Sequence, residues 1–153
     1  MGIDTILLAV GADNDERIRR IGTETADVAG PCGADVVLAH VYTEEEFDRS
    51  RERLNIDPDS EESTPDHVAG RHASIRDLED RMEEDDIATH VRGIVGDRGQ
   101  SIVELAEEFE ADRVIVGGRK RSPTGKAVFG SLAQEVMLSA PCPVTFVRED
   151  LLE

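Results

Sequence analysis

The chain has 153 residues, a formal charge of -17 and 39% hydrophobic residues, which suits one domain, 1–153, burying about 70% of its unfolded surface. No apolar run approaches the ~18 residues of a membrane span, the net charge argues against general binding to nucleic acid or anionic membranes, and Met1-Gly2-Ile3-Asp4-Thr5 lacks a basic leader, so a cytoplasmic protein is expected. Acidic residues number 34 against 17 basic ones, of which only Lys120 and Lys126 are lysine; such a surface stays hydrated where salt screens repulsion and is expected of a halophile.

Ile6-Leu7-Leu8-Ala9-Val10 is a near-continuous apolar run, the pattern of a strand covered on both faces. After Asp13 or Asn14 as N-cap, Ile18, Ile21, Thr25 and Val28 share one face of a predicted helix ending at Gly30-Pro31. Val36-Val37-Leu38-Ala39, extended to Val41, predicts a second strand. Residues 43–65 are acidic, contain Ser and Pro and show no apolar period; a long, mobile excursion is expected there. From Asp66 to about Asp85, Ile75, Leu78 and Met82 recur at helical spacing. Thr89 to Val95 is more mixed and suits an edge strand. Asp97 to Glu110 places Ile102, Leu105, Ala106 and Phe109 on one stripe, and Val114-Ile115-Val116 predicts a fourth strand. Ser131 is the predicted cap of a last helix carrying Leu132, Val136 and Met137, stopped by Pro141. Val144 to Val147 completes the series as a short strand.

Strands alternating with helices imply an α/β fold: an open, doubly wound, five-stranded parallel sheet with helices on both faces. If the fourth strand returns beside the first, the order is 3-2-1-4-5 and a crevice opens between the C-terminal ends of those two strands. Val10-Gly11-Ala12-Asp13 then faces Gly117-Gly118-Arg119.

Both lysines lie between Val116 and Ser131, with Arg119 and Arg121 beside them. An apolar strand, a glycine-bearing loop and a helix N-terminus in succession bring backbone N–H groups to an anion, so a phosphate-bearing ligand is the first expectation. Gly125-Lys126 does not make a P-loop. Six residues separate Gly118 from Gly125 where four are needed, and Ala127 stands where Mg²⁺ requires Ser or Thr. Neither G-x-G-x-x-G after the first strand nor G-x-S-x-G occurs. Cys32 and Cys142 match no metal or redox spacing and are expected to be reduced and buried. His40, His67, His72 and His90 form no i,i+4 pair, so no metal site is expected. His40, at a strand end, is expected to be a hydrogen-bonded interior histidine.

Gly117, two residues, Lys120, nine residues and then Gly130-Ser131 resemble the G-x2-G-x9-G-[ST] nucleotide-binding loop of the universal stress protein family. Leu38-Ala39-His40-Val41, Val95-Gly96-Asp97, Asp112 to Gly117 and Ala140-Pro141-Cys142-Pro143-Val144 resemble other parts of that family in the same order. The resemblance implies a Rossmann-like domain, related in fold to adenine nucleotide alpha hydrolases, that forms homodimers through its last strand, here Val144–Val147. Some members bind ATP, with Mg²⁺ or Mn²⁺, and others do not.

Carried over by position, the resemblance puts Gly117, Gly130, Ser131 and Leu132 on the phosphate and ribose side, and Gly118, Arg119 and Lys120 of the same loop are expected beside them from their own chemistry. Ala9, Val41 and Val116 fall on the base side, near Gly11 and Asp13. The chain departs from the family at Lys120, where the loop's middle glycine is usual, and at Gly11, where an acidic residue is usual. No evident general base adjoins the loop, so slow ATP hydrolysis at most is expected. A regulatory ATP-binding protein is the first expectation, and a stress-response dimer that binds no nucleotide and acts as an interaction module is the alternative.

Overall fold

The computed structural model describes residues 2–11, 15–118 and 130–148. Its strands are β1 (Thr5–Ala9), β2 (Asp35–Tyr42), β3 (Thr89–Val95), β4 (Arg113–Gly118) and β5 (Val144–Arg148). All pair in parallel, in the order β3-β2-β1-β4-β5. This is the expected sheet, with β3 at one edge.

Alternation along β1 explains why its apolar run is unbroken. Ile6 and Leu8 join one core with Ile18 and Ile21 of α1 (Asp15–Cys32) and Ile75, Leu78 and Met82 of α4 (Ala73–Glu84). Leu7 and Ala9 face the other core, with Ile102, Leu105 and Ala106 of α5 (Arg98–Glu108) and Val136 of α6 (Ser131–Ser139). Both faces of β1 are therefore covered, and each Leu or Ile so buried contributes about 1.5–3 kcal/mol.

Helix α1 continues past its predicted stop at Gly30-Pro31 to Cys32. Proline in the last turn removes one N–H, and termination is left to Gly33 at φ +67°. Gly33 N–H donates to Gly30 O, and Ala34 N–H to Ala29 O, a Schellman closure. Cys32, expected to be buried, sits at this helix end and is exposed. Cys142 is half-buried.

The largest departure from expectation lies between Thr43 and Pro65. Instead of one structureless excursion, the segment opens with α2 (Glu44–Arg53) and includes a 3-10 turn at Glu61–Ser63. A reciprocal capping box starts α2: Glu46 N–H donates to Thr43 Oγ1 at 3.1 Å, and Thr43 N–H to Glu46 Oε1 at 2.9 Å. Acidic residues fill its first turn, and Arg51 and Arg53 stand in its last, each favourable to the helix dipole. Phe47 and Ser50 are its buried residues, which is why no apolar period betrays it.

The helix expected from Asp66 to Asp85 is broken. Its first part is α3 (Pro65–Gly70), and His72 then caps α4. Helix α3 lies on the exposed edge of β3, where Asp66 Oδ1 accepts from Gly93 N–H at 2.7 Å. Val68 and Ala69 of α3 pack with Tyr42, Phe47 and Ile56 in a third, smaller core. The fit is close at Gly93, because a Cβ there would stand 2.0 Å from Pro65 O. Gly93→Ala should therefore lower unfolding stability by about 2 kcal/mol or more, measured by chemical denaturation; an unchanged midpoint would show that α3 does not rest on this strand.

Candidate functional site

The chain leaves β1 through Val10 and Gly11. Val10 N–H donates to Ala39 O at 2.8 Å, prolonging the sheet ladder past the strand's end. His40 Nδ1–H donates to Val10 O at 2.7 Å, which fixes the imidazole proton on Nδ1 and leaves Nε2 as the second ring nitrogen. His40 is buried, the interior, hydrogen-bonded histidine expected from its strand position. Its ring lies 4.5 Å from that of His72 and 4.5 Å, edge-on, from that of Tyr42. His72 Nδ1 accepts from Ser74 N–H at 3.1 Å, so its neutral ring carries the proton on Nε2. The two imidazoles thus present opposite tautomers.

Beyond these strand ends lies a cavity of about 880 Å³. Of the residues expected at a nucleotide site, Ala9, Gly11, Val41, Gly117, Gly130, Ser131 and Leu132 line it. Val116 is fully buried behind that wall, and Gly118 ends β4 opposite Arg148 of β5. Asp13, Arg119 and Lys120 lie outside the described residues.

The cap of α6 is Gly130 rather than Ser131, which occupies the first helical position. Gly130 has no side chain to satisfy the first-turn amides. The first bond back into the helix is Gln134 N–H to Gly130 O. The N–H groups of Ser131, Leu132 and Ala133 consequently have no carbonyl within the helix.

Neither glycine at this wall is demanded by the fold. Among the described glycines, positive φ occurs at Gly2 and Gly33, not at Gly117 or Gly130. A Cβ at Gly117 would meet Ile21 Cδ1 at 3.4 Å, an ordinary contact, and one at Gly130 would meet nothing within 4 Å among the described residues. What these missing side chains leave is space in the cavity.

The opposite wall was not anticipated from sequence. It comes from α2 and the N-terminus of α5: Arg49, Ser50, Arg53, Glu46 and Arg98 line it, with Tyr42 and His72. Arg98 reaches across to Glu46 at 2.7 Å. The Thr43 backbone N–H, helped by Arg98, holds the Glu46 carboxyl below the usual carboxylate range. Asp97 caps α5 by accepting from Gln100 N–H at 2.9 Å. Two sequence signals pointed this way: the Thr43-Glu46 capping box, which predicts a helix, and the i,i+4 spacing of Arg49 and Arg53. Among the described residues, no group of three or more His, Cys, Asp or Glu is placed to hold a metal ion. No helix among them is long and apolar enough to cross a membrane.

The profile of the universal stress protein family matches residues 2–148. The stress response protein NhaX of Bacillus subtilis is 23% identical over 167 aligned positions, covering 92% of this chain and 96% of NhaX. A universal stress protein of Mycolicibacterium smegmatis is 29% identical over 79 residues, covering 51% of this chain and 61% of that protein. A solved universal stress protein in complex with cAMP matches with a TM-score of 0.66 at 19% identity, covering 98% of this chain and 100% of that one. The universal stress protein from Archaeoglobus fulgidus in complex with dAMP matches with a TM-score of 0.62 at 19% identity, covering 96% and 99%. At such identities the structural likeness speaks for the fold.

Tyr42 is the chain's one tyrosine, and there is no tryptophan. Burial pushes its phenol from 10.0 up to about 12, with Arg53 opposing the shift. The phenolate absorbance of the folded protein should therefore titrate near 12. Because the folded value is raised, the stability it contributes is complete below pH 10.0 and is lost as pH rises through about 12. Tyr42→Phe should abolish that loss. Phenolate appearing at the ordinary pH in folded protein would contradict the burial of this ring.

Proposed function

The chain belongs to the universal stress protein family, matched over residues 2–148, and from that premise we propose that it is a regulatory protein that binds an adenine nucleotide, ATP by preference, in the crevice between β1 and β4. The phosphates lie against Gly117, Gly118 and the N-terminus of α6, where Gly130, Ser131 and Leu132 offer amides, and where Arg119 and Lys120 would add charge. The base lies toward Ala9, Val41 and Val116, with Gly11 at its margin and Asp13 assigned there from the sequence alone.

One observation carries this reading: Gly117 and Gly130 line the cavity although neither backbone angle nor packing among the described residues requires glycine there. Room beside free helix-terminal amides is what a phosphate needs, and a helix N-terminus stabilises an anion by about 0.3–1 kcal/mol at an exposed site. The complexes of related folds with cAMP and dAMP point the same way. With no cluster of metal-ligating side chains among the described residues, Mg²⁺ or Mn²⁺ would be held mainly by the nucleotide's own phosphates. The role assigned is binding rather than turnover.

A second reading, a dimeric interaction module without nucleotide, draws on Gly11, which leaves the end of β1 without a carboxylate. Dimerisation itself suits both readings. Strand β5 is the edge beyond β4, its Val144 and Phe146 are only half-buried, and Leu138 of α6 is 86% exposed.

Two experiments follow. ATP at about 100 times its Kd should stabilise the protein by ~2.7 kcal/mol. In Gly130→Asp, a carboxylate caps α6 and raises the unliganded stability by a few tenths of a kcal/mol or more, while occupying the phosphate's place and removing the ATP response. An unaltered response in Gly130→Asp, or none in the parent chain at millimolar ATP, would reject the site. Phe146→Asp should convert a dimer to monomers in light scattering; a parent chain already monomeric would remove β5 as an interface.

A further inference from the structure

The cavity is larger than its glycine-lined end. Strands β2 and β4 flank β1, so their ends stand about 10 Å apart at the usual strand spacing. Helix α6 opens beside the β4 end, whereas α2 follows directly from β2. Arg49 and Arg53 of α2 line the same cavity as the first turn of α6.

These two arginines combine two features: neither has an acidic partner among the described residues, and both line the cavity. Acidic residues outnumber basic ones 34 to 17 in this chain. Arg51, Arg81, Arg92 and Arg98 each form an ion pair with one. Among the described residues, no hydrogen bond or ion pair engages Arg49 or Arg53. They are one helical turn apart, where like charges repel, and both face the cavity. Arg51, between them in sequence, instead stacks on Phe47 at 4.6 Å and binds Asp48.

A second, independent feature points to a missing partner on this wall. Tyr42 is 2% exposed, and its Oη is buried with no hydrogen-bond partner. Tyr42 lines the same cavity, and its phenol lies within the electrostatic reach of Arg53. Two guanidinium groups and a phenol O–H are all donors, the combination that a phosphate group accepts from.

We propose that Arg49 and Arg53 of α2, with Tyr42, form a second anion subsite in the cavity that takes a phosphate group other than the one at α6. That phosphate is either a second group on the bound nucleotide or a free anion. The nucleotide arm rests on the binding reading above; the anion arm does not.

Calorimetry with AMP and with adenosine 3′,5′-bisphosphate on the full chain tests the first source, and inorganic phosphate, followed by NMR of the arginine Nε–H signals, tests the second. A bisphosphate binding at least about tenfold more tightly than AMP, with that gain lost in Arg49→Gln/Arg53→Gln and reduced in Tyr42→Phe, supports a two-phosphate ligand. Saturable phosphate shifts at Arg49 and Arg53 without a bisphosphate gain support a free anion. If phosphate shifts those signals while AMP and ATP fail to bind, the subsite stands and the nucleotide reading falls. Absence of both responses overturns the proposal, as does an equal loss of AMP and bisphosphate affinity in the double variant, which would place the arginines in the first site. Unchanged circular dichroism of the variants verifies that α2 remains folded.

Discussion

Everything at the site depends on β1 being hydrogen-bonded on both sides to parallel strands. Leu7 pairs with Val37 of β2 on one side and Val114 of β4 on the other. Parallel neighbours require crossovers, and right-handed crossovers to either side of β1 carry their helices to opposite faces of the sheet. The helices thus diverge where β1 and β4 end, and nothing in the ladder fills the gap between them. Burial of Ile6, Leu7 and Leu8 at 0% exposure makes that arrangement difficult to slip by one residue, because each side chain would exchange cores. The crevice is a consequence of the sheet order rather than of any loop.

Onto this frame the segment after β2 adds a wall with little hydrophobic material. Helix α2 rests on Phe47 packed at 5.6 Å from Tyr42, on its capping box, and on the Glu46–Arg98 bridge to α5. Helix α3 ties the segment back to the edge of β3 through Asp66 and Gly93. The same segment therefore shields a sheet edge that could otherwise recruit another strand and brings arginines to the cavity. A chain that is acidic nearly everywhere thus presents Arg49 and Arg53 at the wall of its cavity.

The strands and their order were legible because buried parallel strands have to be apolar on both faces, as Ile6 to Val10 and Val114 to Val116 are. The stripes of α1 and α5 were legible for the same reason, since each meets a core. Helix α2 was not, because one buried aromatic gives no period; its evidence was local, in Thr43 and Glu46. The break at Gly70 to His72 was hidden by helical spacing that resumes after it. Pro31 does not stop α1; Gly33 in the left-handed region does. At the candidate site, Gly11 and Gly117 could be named from the strand ends, and Ala9 through the family resemblance. Arg49, Arg53 and His72 could not, since they reach the cavity only through the unpredicted fold of residues 43–72. Asp13, Arg119 and Lys120 lie outside the described residues.

Amide NMR during an ATP titration of the full chain addresses the convergence of two backbone clusters most directly. The account predicts that Gly117 and the first-turn amides of α6, Ser131 to Ala133, shift together and saturate along one isotherm, while β3 remains unmoved. Shifts confined to one of the two clusters, or spread over the surface without saturation, would contradict a shared phosphate pocket.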